Sequence, residues 1–121
     1  MIIYLINATF HDYDADACDH VSWRMTRHDA DAEAARLQAA FVAFHAEMAQ
    51  WERDNKAPTG PQTVEEWSQI TKDFVNARAA GVKAAAEKTG YKHVGDYYST
   101  TDRMFRTTYE VEEVDDGLDI L

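Results

Sequence analysis

Arginines spread along this chain, with a threonine–glycine turn and paired tyrosines, are the residues whose chemistry best fits a phosphorylated ligand. Guanidinium groups offer forked donors to phosphate, tyrosine rings offer stacking faces to a base, and a glycine turn offers backbone amides. The candidate ligand-binding residues are Arg24, Arg53, Thr89, Gly90, Tyr97, Tyr98 and Arg106. The alternative is that each arginine pairs with one of the many carboxylates and that the tyrosines form cross-strand pairs.

Catalytic signatures are missing from the sequence. It contains no Gly-x-Ser-x-Gly elbow, no Gly-rich phosphate loop and no His-Glu-x-x-His helix. The single thiol, Cys18, is flanked by acids and is interpreted as inert. The pair His28-Asp29 resembles part of a phosphohydrolase metal site, but two main helices do not supply the further ligands. We therefore predict no catalytic residues and a protein that is not an enzyme.

An acidic stretch, residues 11–20, is the candidate metal site. Asp12, Asp14 and Asp16 alternate as carboxylate ligands of a hard cation do. A calcium loop would place Gly and Glu where Ala17 and Trp23 stand, and zinc would need more thiolates or a firmer histidine spacing. A solvated turn is favoured, so no metal and no other cofactor is predicted, although a metal in this loop stays open.

Charge and composition exclude several classes of function. The chain has 22 acidic and 12 basic residues, a net charge of −10, which disfavours direct binding of nucleic acid. No apolar run reaches the roughly 20 residues that span a bilayer. One cysteine and the absence of a secretory signal predict a cytoplasmic location. The acidity has two interpretations: a solubilising surface, or mimicry of nucleic acid by carboxylates that occupy another protein's basic groove.

Periodicity predicts an α+β fold in one domain, residues 1–121. Apolar side chains on both faces of residues 1–10 predict a central strand, and alternation over 21–26 predicts a second strand. From about Asp29, a candidate N-cap, an apolar stripe at three- and four-residue spacing predicts a long helix. A capping box at Thr63 begins a second helix, and Gly90 ends it.

Two more strands are predicted beyond the second helix. They cover residues 91–99 and 103–114, and residues 112–121 are predicted to form an acidic, frayed tail. The expected architecture is a four-stranded antiparallel sheet, in the order β-β-α-α-β-β, with a long two-helix hairpin on one face.

In size, element order and placement of its arginine, aromatic and Thr-Gly positions, the chain resembles the first family of phage Thoeris anti-defence proteins. The family consists of small oligomeric sponges that bind cyclic ADP-ribose isomers and cyclic oligonucleotides made by bacterial immune enzymes. The resemblance implies one ligand site with Arg24, Thr89 and Gly90. It implies a second site with Arg53, Arg106 and an aromatic residue, Tyr97 or Tyr98.

A second resemblance concerns residues 4–10, which are similar to the start of viral ring nucleases that degrade cyclic tetra-adenylate. Those enzymes carry a Gly-His pair, whereas Arg27 precedes His28 here. The first hypothesis is therefore a phage-encoded, homo-oligomeric sponge for a cyclic nucleotide in the host cytoplasm. The alternatives are an acidic inhibitor of a host defence protein, similar to anti-CRISPR proteins, and a ring nuclease.

Overall fold

The computed structural model describes residues 1–11, 16–56, 59–60, 63–93 and 106–115. These residues form an α+β fold whose elements follow the order β-β-α-α-β. The elements are β1 (Ile2–His11), β2 (Asp16–Arg24), α1 (Arg27–Asp54), α2 (Val64–Thr89) and β3 (Arg106–Asp115). The chain divides into two compact units. The first consists of Met1–Phe41 and Thr101–Leu121, and the second of Val42–Thr100.

The sheet in the first unit is antiparallel, with the strand order β2-β1-β3. The central position predicted for the first strand is confirmed. On β2 the register shifts where β1 passes from Ile6 to Asn7, so Val21 is an extra residue, a β-bulge. Beyond the bulge, Asn7 lies opposite His20, and Thr9 lies opposite Cys18.

The prediction of four strands is wrong, because the sheet has three among the described residues. Residues 91–93, where the missing strand was expected to begin, form no strand, and 94–99 lie outside the described residues. Tyr91 is buried, and its ring stacks on Phe44 of α1 at a centroid distance of 4.8 Å. The first aromatic residue of the expected strand therefore packs against a helix.

The last strand is longer than expected at its acidic end. Residues 112–115, assigned to the tail from the sequence, belong to β3 and pair with β1 as far as Ile2–Asp115. Residues 116–121 lie outside the described residues.

One face of the sheet carries the core of the first unit. Ile6 and Ala8 of β1 and Thr107 and Tyr109 of β3 share this face and are buried. Gln38 of α1 donates from Nε2 to the carbonyl oxygen of Thr107 and accepts from the amide of Tyr109, both at 3.0 Å. The buried apolar residues of α1 in this unit are Ala30, Ala34, Leu37 and Phe41.

The second unit contains α2 and the C-terminal part of α1, which form the predicted helical hairpin. Trp51 of α1 contacts Phe74 of α2 at a ring-centroid distance of 5.8 Å. Nearer the C-terminus of α2, Lys88 pairs with Glu47 at 2.8 Å. Because contacts move backwards along α1 as they move forwards along α2, the two helices are antiparallel.

Side-chain caps fix the helix ends. As predicted, Thr63 caps α2, its hydroxyl accepting from the amide of Glu66 at 3.1 Å. The cap predicted for α1, Asp29, is wrong: Thr26 accepts from the amide of Asp29 at 3.1 Å, and the helix begins at Arg27. None of the described helices is long and apolar enough to span a bilayer.

Candidate functional site

Two arginines meet one carboxylate where β2 ends and α1 begins. Arg24 is the last residue of β2, and its Nη2 lies 3.4 Å from Glu33 Oε2 on α1. Arg36, one turn further along α1, donates from Nε to the same Oε2 at 3.0 Å and from Nη2 to Oε1. We call these three residues the Arg24–Glu33–Arg36 cluster; two guanidiniums and one carboxylate give it a net charge of +1.

The two arginines of the cluster are more exposed to solvent than its glutamate. The side chain of Glu33 is 14% exposed, while those of Arg24 and Arg36 are 40% and 60% exposed. The hydrogen bond and the negative charge of Glu33 raise the pKa of Arg36, so this guanidinium stays charged at any physiological pH. The anion is thus the most enclosed member, and the surplus positive charge is accessible.

Hydrogen bonds also hold Arg24 in place. Its Nη1 donates to the hydroxyl of Ser22 at 2.7 Å and to the carbonyl oxygen of Trp23 at 2.6 Å. Arg36 keeps Nη1, with two N–H donors, outside any hydrogen bond to the described residues. The cluster therefore combines a fixed guanidinium with a second that has donors available, an arrangement that can receive a phosphate oxygen.

Two other arginines on the helices each lie near a carboxylate. Arg27 lies 3.9 Å from Asp31, and Arg78 lies 3.6 Å from Glu52. Arg78 is 4% exposed, and its buried charge has a carboxylate within reach, as a buried cation requires. These pairs match the alternative interpretation of the arginines, in which each one neutralises an acid.

Arg53 and Arg106 are exposed and make no ion pair with the described residues. Arg53, in the last turn of α1, donates from Nη2 to Gln50 Oε1 at 2.6 Å. Arg106 begins β3 and lies opposite His11 in the register, whereas Arg24 lies opposite Tyr4. Seven residues of β1 separate these positions, about 23 Å along the strand, so Arg24 and Arg106 do not converge within one chain.

Thr89 and Gly90 are adjacent, and both take part in ending α2. The hydroxyl of Thr89 donates to the carbonyl oxygen of Ala85 at 2.8 Å. Gly90 has φ 76°, and its amide donates to the carbonyl oxygen of Ala86 at 2.9 Å. The amide of Gly90, which the sequence analysis suggested as a donor to a ligand, is therefore already hydrogen-bonded within the end of α2.

Each of the two predicted ligand sites combines residues from different units. Arg24 and Arg106 belong to the first unit, while Arg53, Thr89 and Gly90 belong to the second, so the combinations named above stay predictions. The two tyrosines proposed for stacking, Tyr97 and Tyr98, lie outside the described residues.

Comparison of the chain with protein-family models, with curated proteins and with solved structures gives no match. The likeness to Thoeris anti-defence proteins and to ring nucleases therefore stays a hypothesis.

A polar network that the sequence did not indicate crosses the sheet face opposite the core. Nδ1 of His20 donates to Asn7 Oδ1, and Asn7 donates from Nδ2 to Glu112 Oε2 at 2.8 Å. Because an amide oxygen only accepts hydrogen bonds, Nδ1 of His20 carries the hydrogen. The other ring nitrogen, Nε2, takes no part in this contact. Trp23, 55% exposed, lies on the same face, opposite Leu5. The network gives this face an oriented imidazole, and Trp23 adds an exposed aromatic ring to the same face.

Arg36 is the functional candidate that sequence reasoning missed. Its i,i+3 spacing to Glu33 was visible in the sequence. That the same carboxylate also meets Arg24 depends on how β2 leads into α1, which residue spacing does not define.

Proposed function

We propose that this protein sequesters a cyclic nucleotide immune signal, a cyclic ADP-ribose isomer or a cyclic oligonucleotide, without degrading it. It would act in the host cytoplasm as a phage-encoded anti-defence protein. The observation that carries the proposal is the Arg24–Glu33–Arg36 cluster, where cations outnumber anions in a chain with a net charge of −10.

The cluster suits a phosphate for three physical reasons. Its surplus charge is accessible, so a ligand phosphate need not displace a bound carboxylate. Its guanidiniums are held by Glu33, Ser22 and Trp23, so less conformational entropy is lost on binding. Both cations are arginines, whose planar donors match phosphate oxygens better than lysine does.

The experiment is thermal unfolding of the full chain with a panel of cyclic di- and trinucleotides and cyclic ADP-ribose isomers, followed by analysis of the recovered ligand. A ligand present at 100 times its Kd should stabilise the protein by about 2.7 kcal/mol. A shift with intact ligand supports sequestration. Degraded ligand would identify a nuclease instead, and no shift across the panel would refute the proposal.

Matched variants assign the site. Arg24→Ala and Arg36→Ala each remove a charge-assisted donor, and each should weaken binding by about 10- to 100-fold. Arg27→Ala is the control, since Arg27 is exposed, close in sequence and neutralised by Asp31. Equal effects of all three variants would indicate a general charge effect rather than contact with the ligand.

A second function, inhibition of a host defence protein through acidic mimicry of nucleic acid, is favoured by β3. This strand lies at one edge of the described sheet and exposes four carboxylates. They belong to Glu110, Glu112, Glu113 and Asp115. Asp19 lies on β2, so the central strand β1 separates it from these four residues. This function predicts a basic protein partner and binding that weakens steeply with salt.

A further inference from the structure

One face of α2 changes from exposed to buried part-way along the helix. Val64, Thr71, Arg78 and Ala85 recur every seven residues, and Val75 and Val82 share a neighbouring row with the same repeat. A seven-residue repeat keeps such positions on one side of a helix. We call this set the α2 stripe; Trp67 lies on its flank, in the seven-residue row that continues through Phe74 and Gly81.

Burial divides the α2 stripe sharply. In the C-terminal half of the helix Arg78 is 4% exposed and Val82 is fully buried. In the N-terminal half Val64 is 84% and Val75 54% exposed, and Trp67, on the flanking row, is 47% exposed. The same helix face is thus covered at one end and open at the other, where two aliphatic side chains and the flanking aromatic ring are exposed.

The neighbouring helix does not cover the open half, because it packs on an adjacent row. Trp51 of α1 contacts Phe74 and comes close to Gly81, two residues that lie seven apart on α2. In the helix, this row runs beside the α2 stripe rather than along it. Single exposed apolar residues are ordinary, but Val64 and Val75 on the α2 stripe, with Trp67 exposed on its flank, form a larger apolar surface, which indicates a contact site.

We propose that the open half of the α2 stripe, residues 64–75, binds the same segment of a second copy of this chain in an antiparallel pair. Val64 of one copy then faces Val75 of the other, and Trp67 lies at the edge of the contact. From Val64 to Val75 the axis rises about 17 Å, so the contact is short.

Charge complementarity favours a second copy over an unrelated partner. Glu65 and Lys72 lie seven residues apart, on the flank of the α2 stripe away from the row that α1 contacts. In an antiparallel pair the same flank of each helix meets its equivalent. Glu65 therefore lies beside Lys72 of the second copy, and Lys72 beside Glu65, which gives two opposite-charge pairs from one sequence segment.

The small area of the contact limits the affinity of the dimer. An interface built from about three turns of helix falls below the roughly 1,200 Å² of a standard stable complex. We expect association that depends on concentration, through a two-fold interface that closes at two copies. The inference does not rest on the proposed ligand, since it uses only α2.

The test is sedimentation equilibrium of the full chain over a wide concentration range, without ligand. Wild type should shift from monomer to dimer. Glu65→Lys and Lys72→Glu each place like charges together and should raise the dimer Kd about tenfold or more, while the double swap restores the wild-type value. Rescue by the double variant is an outcome that a purely structural defect does not give.

Apolar variants supply the matched comparison. Val75→Asp should abolish dimerisation, while Val42→Asp should leave it unchanged, because Val42 is equally exposed at 59% but lies on α1. Far-UV circular dichroism checks that each variant is folded. A wild type that stays monomeric, equal behaviour of the two aspartate variants, or a double swap that fails to restore dimerisation would each overturn the inference.

Discussion

Replacing Gly81 with Ala should destabilise this protein, the reverse of what the same change does in most helices. Gly81 lies inside α2, where glycine carries an entropic cost. A Cβ atom there would lie 2.7 Å from Nε1, 2.9 Å from Cδ1 and 3.0 Å from Cε2 of Trp51. The glycine therefore lets the indole of α1 approach the backbone of α2.

Two opposing terms decide the magnitude. Gly→Ala in an open helix interior gains about 1 kcal/mol. Overpacking a filled site costs about 1–3 kcal/mol. Carbon contacts need about 3.5–4.0 Å, so the rigid five-membered ring of Trp51 has to move as a whole. Its contact with Phe74 opposes that movement. We expect a net loss of about 1 kcal/mol, or a Tm lower by about 3–5 °C in a chain of this length.

The assay is urea unfolding followed by circular dichroism in a double-mutant cycle. With Trp51→Leu the obstructing ring is gone, and Gly81→Ala should then stabilise by about 1 kcal/mol. The coupling energy between the two sites is expected to be about 2 kcal/mol. Ala80→Gly, at the next and exposed position, is the control and should cost about 1 kcal/mol in both backgrounds.

A stabilising Gly81→Ala in the wild-type background would refute the reasoning. So would a coupling energy near zero, because the penalty would then come from somewhere other than the indole.

Three further substitutions test the Thr63 cap, the hydrogen bonds of Gln38 to β3 and the turn at Gly90. Thr63→Ala should cost about 1 kcal/mol in urea unfolding, since the helix amide that it accepts from at 3.1 Å loses its partner; an unchanged midpoint would contradict the cap. Gln38→Leu should cost about 2 kcal/mol by leaving the carbonyl oxygen of Thr107 and the amide of Tyr109 without their side-chain partner, and wild-type hydrogen exchange at Tyr109 would argue against it. Gly90→Ala should lower stability by about 1 kcal/mol because φ is 76°, and calorimetry showing no loss would mean that the turn adopts another conformation.

Residue patterns predicted the helices and the central strand well, for identifiable reasons. Apolar spacing along the helices is long and regular, and β1 begins with a nearly continuous apolar run, a pattern that favours an internal strand of a sheet. The cap at Thr63 follows a proline-rich break, so no competing cap precedes it closely. At α1, Thr26 and Asp29 are both good caps, and the apolar stripe begins too late to distinguish them.

The miscounted strand shows where local patterns fail. Tyrosine favours strands in isolation, but Tyr91 directly follows a helix end and packs on Phe44, so tertiary contact overrides propensity. The Arg24–Glu33–Arg36 cluster was missed for a similar reason. Arg24 and Glu33 are nine residues apart on different elements, and only the chain path from β2 into α1 brings them within 3.4 Å.

The bulge at Val21 has a consequence for how the chain behaves when crowded. Both outer strands of the described sheet present backbone groups that could template another strand, the first step of amyloid-like aggregation. The extra residue in β2 interrupts the regular row of backbone groups along that edge. The closely spaced carboxylates of β3 would repel the same carboxylates of a second copy. The two outer strands of the described sheet are thus protected by different means, one geometric and one electrostatic.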